Sequence, residues 1–273
     1  MGVAQNLRQR RLRFRNRRQV RRAGAPMTLM EHLGELRSRL IIAAATFFLF
    51  SIAAFGFFNP ISDFLLRPLC LLPAERLGPQ GCELIITAPM EAFLVRLKVT
   101  AMVGIVASSP VWLYQLWAFI VPGLTSKERG YAMPFVLSST VLFGIGAVFA
   151  YLTLPTGLRF LISLGGDNFV PFFRAEEYLN FIGLMLFAFG LTFELPLVLF
   201  FLGLVGVVSV EMLRKQRKVA VVAIAALAAV VTPSQDPYTL LVMAVPLYGL
   251  YELTILLLSV IKRRRRRAES QGS

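Results

Sequence analysis

The sequence predicts an all-α integral membrane protein with six transmembrane helices. Of its 273 residues, 56% are hydrophobic and only 16% are charged, whereas soluble domains are about 45–50% apolar and about 25% charged. The apolar residues form long continuous runs, not the alternating pattern that is typical of a transmembrane β-barrel. We therefore expect a single helical bundle in the membrane.

Two basic tails flank this membrane domain, which we assign to residues 27–261. Residues 1–26 carry nine arginines, and we expect this tail to be disordered or to lie on the lipid surface. Residues 262–273 form a second basic tail, for which anionic lipid is the expected partner. Met27 is an alternative start that would place the first tail outside the natural protein. The first tail has no short apolar core with a small-residue cleavage site, so we predict no cleavable signal peptide.

The first part of the membrane domain combines an amphipathic helix, a span and a mixed loop. Leucines recur at spacings of three and four over Thr28–Leu40, which predicts an amphipathic helix leading into span one at Leu40–Phe58. The loop Asn59–Glu91 is too polar to span, but an apolar stretch at Ile61–Leu69 indicates a short interfacial helix.

Five further apolar runs complete the predicted bundle. The spans are Phe93–Val121, Ala132–Leu154, Leu179–Val205, Val219–Thr232 and Tyr238–Ile261. The fifth span is only about 21 Å long, against a hydrocarbon core of about 30 Å, and Pro246 interrupts the sixth. Short or broken fifth and sixth helices predict a locally thinned bilayer or, alternatively, a fifth helix that its neighbours shield from lipid.

The distribution of basic residues predicts the topology. With six spans, 23 of the 29 Lys and Arg residues lie in the segments that share a side with the termini, and six lie in the other segments. Positive charge accumulates on the cytoplasmic side. Both termini are therefore expected in the cytoplasm.

Glu194 is the most conspicuous single residue, because it lies near the middle of span four. A bare carboxylate in hydrocarbon costs several kcal/mol, so such a group faces a polar cavity or a partner, or is protonated. Pro196 follows two residues later and frees a backbone carbonyl one turn back. Position alone leaves a functional role and a structural role equally open.

The cysteines and the single histidine carry weaker signals. Cys70 and Cys82 lie in the first outer loop, where a disulfide bridge and two free thiols both remain open. His32 has no Cys or acidic ligands at metal spacing, so we predict no metal site.

Several stretches together resemble the TatC family, the multispan core of the twin-arginine protein translocase. The resemblance covers Thr28 to Ile261, with the motifs in order and at suitable spacing, and leaves out both basic tails. The motifs that carry it are His32–Leu40, Tyr114–Leu124, Lys127–Arg129, Phe193–Pro196, Thr232–Pro237 and Pro246–Glu252.

This resemblance implies a receptor, not an enzyme. TatC binds twin-arginine signal peptides and carries folded proteins across the bacterial cytoplasmic membrane. It works with the single-span partners TatA and TatB, in a multi-copy complex driven by the proton-motive force. No cofactor and no ATP-binding or hydrolytic site is expected. The position of the arginines beside membrane spans favours a role in topology and anionic-lipid contact over nucleic-acid binding.

The resemblance also implies a signal-peptide site at the cytoplasmic face. Acids at the positions of Glu35 and Glu128 face the twin arginines, and carboxylates accept paired hydrogen bonds from guanidinium groups. The alternative is that Glu35 only pairs with Arg39 four residues later. The expected walls of this site are Leu33, Phe119, Leu124 and Arg129.

A second implied site takes a partner helix or an inserted signal in a lateral pocket. The family places Glu194 in such a pocket, and it places Thr232 and Asp236 in the partner-docking region at the outer ends of helices five and six. Many relatives carry Gln near the start of helix six, where this sequence has Tyr238 and Thr239. Glu252 is either part of this region or a structural acid paired with tyrosines.

One rival hypothesis comes from a different class of membrane protein. A secondary transporter would use Glu194 and Glu252 as proton or cation sites. Spans one to three and four to six show no convincing inverted repeat, which favours the translocase.

Overall fold

A computed structural model describes residues 29–73, 77, 81–120, 132–166, 171–232 and 236–271. The chain divides into two compact units between Ile41 and Ile42. The predicted basic tail at residues 1–26 lies outside the described residues. The described part contains nine helices: α1 (Leu29–Gly56), α2 (Phe58–Cys70), α3 (Pro89–Ala107), α4 (Ser109–Ile120), α5 (Ala132–Leu164), α6 (Ala175–Val205), α7 (Val210–Lys215), α8 (Arg217–Val231) and α9 (Pro237–Gln271).

This architecture confirms the all-α class and the membrane character. Four helices are long and apolar enough to cross a membrane: parts of α1, α5 and α9, and the whole of α6. Helices α3 and α4 are separate shorter pieces, and α8 has only 15 residues. Six spans therefore remain a prediction.

The predicted amphipathic helix leads directly into span one, as expected. Helix α1 is continuous from Leu29 to Gly56, so the predicted amphipathic helix and span one are a single element. The short helix expected in the following loop is confirmed as α2, which buries Leu65, Pro68 and Leu69.

The predicted second span is wrong as a single helix, because it breaks between Ala107 and Ser109. Pro110 has no N–H to donate to the carbonyl one turn earlier. Ser108 ends α3, and its carbonyl accepts hydrogen bonds from the N–H groups of Val111 and Trp112 at 2.9 and 3.2 Å, which starts α4. The indole Nε1 of Trp112 donates to the Ile105 carbonyl at 3.1 Å. This bond satisfies one of the carbonyl groups in the last turn of α3.

The third span is longer than predicted, because Pro155 does not end it. Helix α5 continues to Leu164, although the sequence suggested a loop from Thr156. The extra turns are held by packing and by one bond: Leu158 is buried, and the Arg159 guanidinium donates to the Leu71 carbonyl at 2.9 Å.

Span four also starts earlier than predicted. Helix α6 begins at Ala175, and Glu176 and Glu177 lie in its first turn, where negative charge is favourable. The backbone of Ile85 exchanges hydrogen bonds with Phe173 and Ala175 at 3.0 and 2.9 Å. These bonds fix the start of α6 against the segment that precedes α3.

The sixth helix is not broken, contrary to the expectation from Pro246. Helix α9 continues through Pro246 and through the basic run that was assigned to a separate tail. Buried Met243 and Leu247 flank the proline, and their packing offsets the single hydrogen bond that proline removes.

The fifth helix is short, as predicted, but the residues that the structure describes do not shield it. Ala228 is its only buried residue, whereas Val222 and Val230 are 68% and 82% exposed. Most of the apolar surface of α8 is therefore not covered by the described part of the chain.

Helices α5 and α6 approach each other closely at glycines. A Cβ atom on Gly146 would lie 2.7 Å from the Phe189 carbonyl oxygen, and one on Gly190 would lie 2.8 Å from the Phe143 ring. This contact holds the two helices in the register that places Ser139 opposite Glu194.

Candidate functional site

Glu194 lies on α6 and is 6% exposed. Its Oε2 accepts a hydrogen bond from the Ser139 hydroxyl on α5. Its Oε1 is buried and has no hydrogen-bond partner among the described residues. A buried polar atom without a partner costs free energy, so this site has unused capacity to accept a hydrogen bond.

Aromatic rings surround the Ser139–Glu194 pair. Phe135 and Phe143 lie one turn before and after Ser139 on α5. Phe135 packs on Trp117 with 5.2 Å between ring centroids, and Phe143 packs edge-on against Trp112 at 5.6 Å. An apolar environment strengthens the existing hydrogen bond and raises the cost of the missing one.

A groove opens on the next residues of α6. Its cavity of about 240 Å³ lies between α6, α8 and α9, and Leu195, Pro196, Ile224 and Tyr251 are among its lining residues. Glu194 itself is not among them. The carboxylate and the groove therefore lie on different parts of the same helix surface.

Pro196 is held by the neighbouring helix. The Thr254 hydroxyl on α9 donates to the Pro196 carbonyl at 3.1 Å, and Thr254 is buried. Helix α6 continues through the proline. This bond ties α9 to the carbonyl of the proline itself, whereas the carbonyl that the proline leaves free is one turn earlier, at Thr192.

Glu252 makes the kind of contacts that a structural acid makes. Its Oε1 accepts from the Tyr248 hydroxyl at 3.0 Å, and its Oε2 accepts from the Arg217 guanidinium at 2.6 Å. The contact with Tyr248 is the one expected if Glu252 is a structural acid paired with tyrosines. Arg217 on α8 is an additional partner.

Thr232 and Asp236 lie at the two ends of the α8–α9 connection. Thr232 is buried and donates to the Ala228 carbonyl at 2.7 Å. The Asp236 Oδ1 accepts from the Thr239 backbone N–H at 2.8 Å, as a residue that caps a helix start does. Both of these bonds are local to the helix ends.

The expected signal-peptide residues are only partly described. Glu35 accepts from Arg39 Nε at 3.1 Å, and the side chains of this pair are 24% and 21% exposed respectively. Leu33 is 58% exposed, and Phe119 is half-buried near the end of α4. Glu128, Leu124 and Arg129 lie outside the described residues.

Comparison with known proteins identifies the family. The family model of the Sec-independent protein translocase protein, TatC, matches residues 31–246. The Frankia casuarinae protein of that name is 43% identical over 250 residues, which cover 89% of this chain and 68% of the relative. The Aquifex aeolicus protein is 37% identical over 243 residues, or 88% of this chain and 98% of the relative.

A solved structure agrees with this sequence comparison. The crystal structure of the twin arginine translocase receptor TatC in DDM matches with a TM-score of 0.70 and 38% identity, over 83% of this chain and 98% of that one. This chain belongs to the TatC family. Members of the TatC family are components of Sec-independent protein translocation and are not catalytic enzymes. Membership of this family favours the translocase over the secondary transporter.

The TatC-family chain carries a disulfide in the loop between α2 and α3. Cys70 and Cys82 are bonded, with 5.0 Å between their Cα atoms. The bridge ties the end of α2 to the segment before α3, and it decides between the two alternatives that the sequence left open.

Two features of this TatC-family protein were missed at the level of sequence. Ser139 lies in the polar triplet Ser138-Ser139-Thr140 within an apolar span, and that interruption was a usable signal. Glu91 precedes span two and is buried, with Arg174 Nη2 3.6 Å from its Oε1. Arg174 is 83 residues away, and no local pattern links the two.

Proposed function

We propose that this protein is the core receptor subunit of a twin-arginine translocase. It binds the signal peptides of folded precursors through Glu35 and Glu128. It also positions TatA- and TatB-like single-span partners for export driven by the proton-motive force, within a multi-copy complex. Family membership and the contacts of Glu35 support this proposal.

The observation that carries the signal-peptide site is the pair between Glu35 and Arg39. The Glu35 carboxylate already accepts from a guanidinium group, so its surroundings accommodate an arginine head. A partly buried ion pair between residues four apart on one helix contributes only about 0–1 kcal/mol. A precursor arginine that binds two acids with paired hydrogen bonds can therefore displace Arg39 at small cost.

Crosslinking of a twin-arginine precursor to the protein in membrane vesicles tests this site. Glu35→Ala and Glu128→Ala should each weaken the crosslink, and Lys-for-Arg changes in the signal should weaken it as well. Arg39→Gln should preserve or strengthen it, because that change removes a competitor from Glu35.

Glu211→Ala is the matched control for this experiment. Glu211 also pairs with a basic residue, Lys262 Nζ at 2.7 Å, and the charge-based topology places it on the same side of the membrane. Its loss should leave the crosslink unchanged. An undiminished crosslink in the double variant of Glu35 and Glu128 would refute the assignment.

We assign the partner-helix site to the side of the bundle that α6, α8 and α9 share. The groove at Leu195 and Pro196, the exposed valines of α8 and the unpartnered Oε1 of Glu194 support this assignment. Thr232 and Asp236 bound it at the α8–α9 connection. Thr239, which stands near the position of the relatives' Gln, is buried and gives its N–H to Asp236, so we expect Glu194 to supply the polar contact.

For the membrane arrangement we propose six spans with both termini in the cytoplasm of a bacterium. Helices α3 and α4 together form span two, and α8 forms span five. In this arrangement the exposed Arg263, Arg264 and Arg267 of α9 meet anionic lipid at the cytoplasmic face. A single cysteine introduced at Gly165 should react with an impermeant thiol reagent from outside, and one at Gln216 only after the membrane is permeabilised.

A further inference from the structure

An apolar cavity lies far from the Glu194 groove, between α2, α3 and α6. Its volume is about 380 Å³, and every side chain that lines it is apolar. The lining residues that matter most here are Phe64, Val99, Val103, Ala107, Gly183 and Leu186. This cavity has no role in the functions proposed above.

The chemistry and size of the cavity restrict what can occupy it. Water needs two to four polar partners in a buried site, and this lining offers none from its side chains. A helix with its side chains is about 10 Å across and rises about 5.4 Å per turn, so one turn alone fills roughly 400 Å³. A hydrocarbon chain needs no polar partner, so it fits the size and the apolar lining of this cavity.

A basic residue lies one helical turn before the cavity-lining residues of α3. Arg96 is three residues before Val99 and seven before Val103, so it continues the cavity-lining stripe of α3 by one turn. Its guanidinium lies 4.3 Å from the Phe55 ring centroid and 5.1 Å from that of Phe58. Two aromatic faces therefore hold the guanidinium at the junction of α1 and α2, one turn along α3 from the cavity-lining Val99.

Arg96 has capacity left for an anion. Its Nη2 donates to the Phe55 carbonyl at 2.9 Å, and its buried Nε has no hydrogen-bond partner among the described residues. No carboxylate within the described part of the chain forms an ion pair with it. By contrast, nearby Lys98 is paired with Glu176.

The Lys98–Glu176 pair also shows the depth of this site. Glu176 is in the first turn of α6, so the turn of α3 that carries Arg96 and Lys98 lies level with the end of a spanning helix. That is the level of lipid headgroups, and the cavity runs inward from it along α3. A positive charge at the interface matches the anionic headgroup of a phospholipid, and the apolar cavity beneath it matches the hydrocarbon chains.

We propose that this cavity binds one acyl chain of an anionic phospholipid, whose headgroup phosphate is held by Arg96. The lipid belongs to the leaflet on the side of the Cys70–Cys82 bridge. It is thus distinct from lipid at the basic run of α9, which the proposed topology places on the opposite face.

Native mass spectrometry of the purified protein tests the proposal, with added phosphatidylglycerol or phosphatidylcholine of identical acyl chains. The wild type should retain one phosphatidylglycerol in preference to phosphatidylcholine. Arg96→Gln should lower the apparent affinity for phosphatidylglycerol about tenfold, the effect of one charge-assisted hydrogen bond, and should abolish the preference. Val103→Phe and Ala107→Phe fill the cavity and should reduce retention of both lipids.

Arg159→Gln is the matched control. Arg159 also donates through Nη2 to a backbone carbonyl at 2.9 Å, but it does not adjoin the cavity, so its loss should leave lipid retention unchanged. Wild-type preference in Arg96→Gln, or an equal loss in Arg159→Gln, would overturn the headgroup assignment. Normal retention in both filling variants would overturn the cavity assignment, and loss of precursor crosslinking instead of lipid would identify a peptide as the occupant.

Discussion

Ser139 and Glu194 form a hydrogen-bonded pair between α5 and α6, and Oε1 of Glu194 is left without a partner in the described structure. The two residues are 55 positions apart. Their pairing depends on the close helix contact at Gly146 and Gly190. A partner helix with a donor at this level would complete the hydrogen bonding of Glu194.

The first prediction separates partner docking from signal recognition. Glu194→Ala should reduce copurification of the single-span partner and reduce transport, because the acceptor for the partner is removed. Precursor crosslinking should stay near the wild-type level, since Glu35 and Glu128 are unchanged. Loss of crosslinking with normal partner copurification would contradict this division of roles.

The second prediction concerns the hydroxyl group that holds Glu194. Ser139→Ala leaves both carboxylate oxygens without a donor among the described residues, and it should lower the free energy of unfolding by about 1–3 kcal/mol. Thr140→Val is the control, because the Thr140 hydroxyl bonds only to the Val136 carbonyl of its own helix, at 3.0 Å. Thermal unfolding in detergent should show a clear decrease for Ser139→Ala and little change for Thr140→Val.

The third prediction tests the helix contact that places this pair. Gly146→Ala should lower the melting temperature, because the new methyl group meets the backbone of α6 and the helices must separate. Gly144→Ala meets nothing within 4 Å and should be neutral or stabilising by up to about 1 kcal/mol from helix propensity. Equal effects at the two positions would argue against a close α5–α6 contact.

The fourth prediction concerns the disulfide. Replacing Cys70 or Cys82 by Ser opens a loop with a sequence separation of 12 and should cost about 3 kcal/mol, the value that the chain-entropy estimate gives for a loop of this size. Reductant should lower the melting temperature of the wild type towards that of the variants and leave the variants unchanged. Thiol labelling of the unreduced wild-type protein should be negative.

The fifth prediction is a pH dependence at the N-terminal end of α3. The pKa of Glu91 is lowered from its ordinary 4.5, first by the hydrogen bond from the Thr87 hydroxyl, then by the Thr87 N–H and by the Arg174 guanidinium, against an opposing effect of burial. The hydroxyl and N–H lie 2.6 and 2.8 Å from Oε2. A lowered folded pKa means that Glu91 stabilises the fold fully above about pH 4.5, and that this contribution is lost as the pH falls through the folded pKa.

Melting temperatures measured from pH 7 down to pH 3 would check the direction of this pH dependence. Glu91→Gln should remove part of the decrease in melting temperature below pH 4.5. Thr87→Val should reduce this decrease as well, because the largest contribution to the lowered pKa of Glu91 is lost. The control is Thr153→Val, whose hydroxyl donates to the Phe149 carbonyl at 2.9 Å and not to a carboxylate. A steeper decrease in Glu91→Gln than in the wild type would reverse the assignment.

Helix boundaries show where sequence reasoning failed. Pro110, Pro155 and Pro246 look alike as local signals, but only Pro110 lies at a break in a helix. At Pro155 and Pro246, buried neighbours on the same helix hold the chain in helical form despite one lost hydrogen bond. Tertiary packing therefore decides the effect of a proline, and tertiary packing is not written in the local sequence.

The amino-acid sequence by itself determined the helical membrane class, the family and the conspicuous acid at Glu194, because long apolar runs and ordered motifs are properties of the linear chain. The tertiary structure alone decided which groups meet: Ser139 with Glu194, Arg217 with Glu252, Arg174 with Glu91, and Cys70 with Cys82. Each of these contacts depends on the register between packed elements. That register is set by close approaches such as the one at Gly146, which no spacing along the chain reveals.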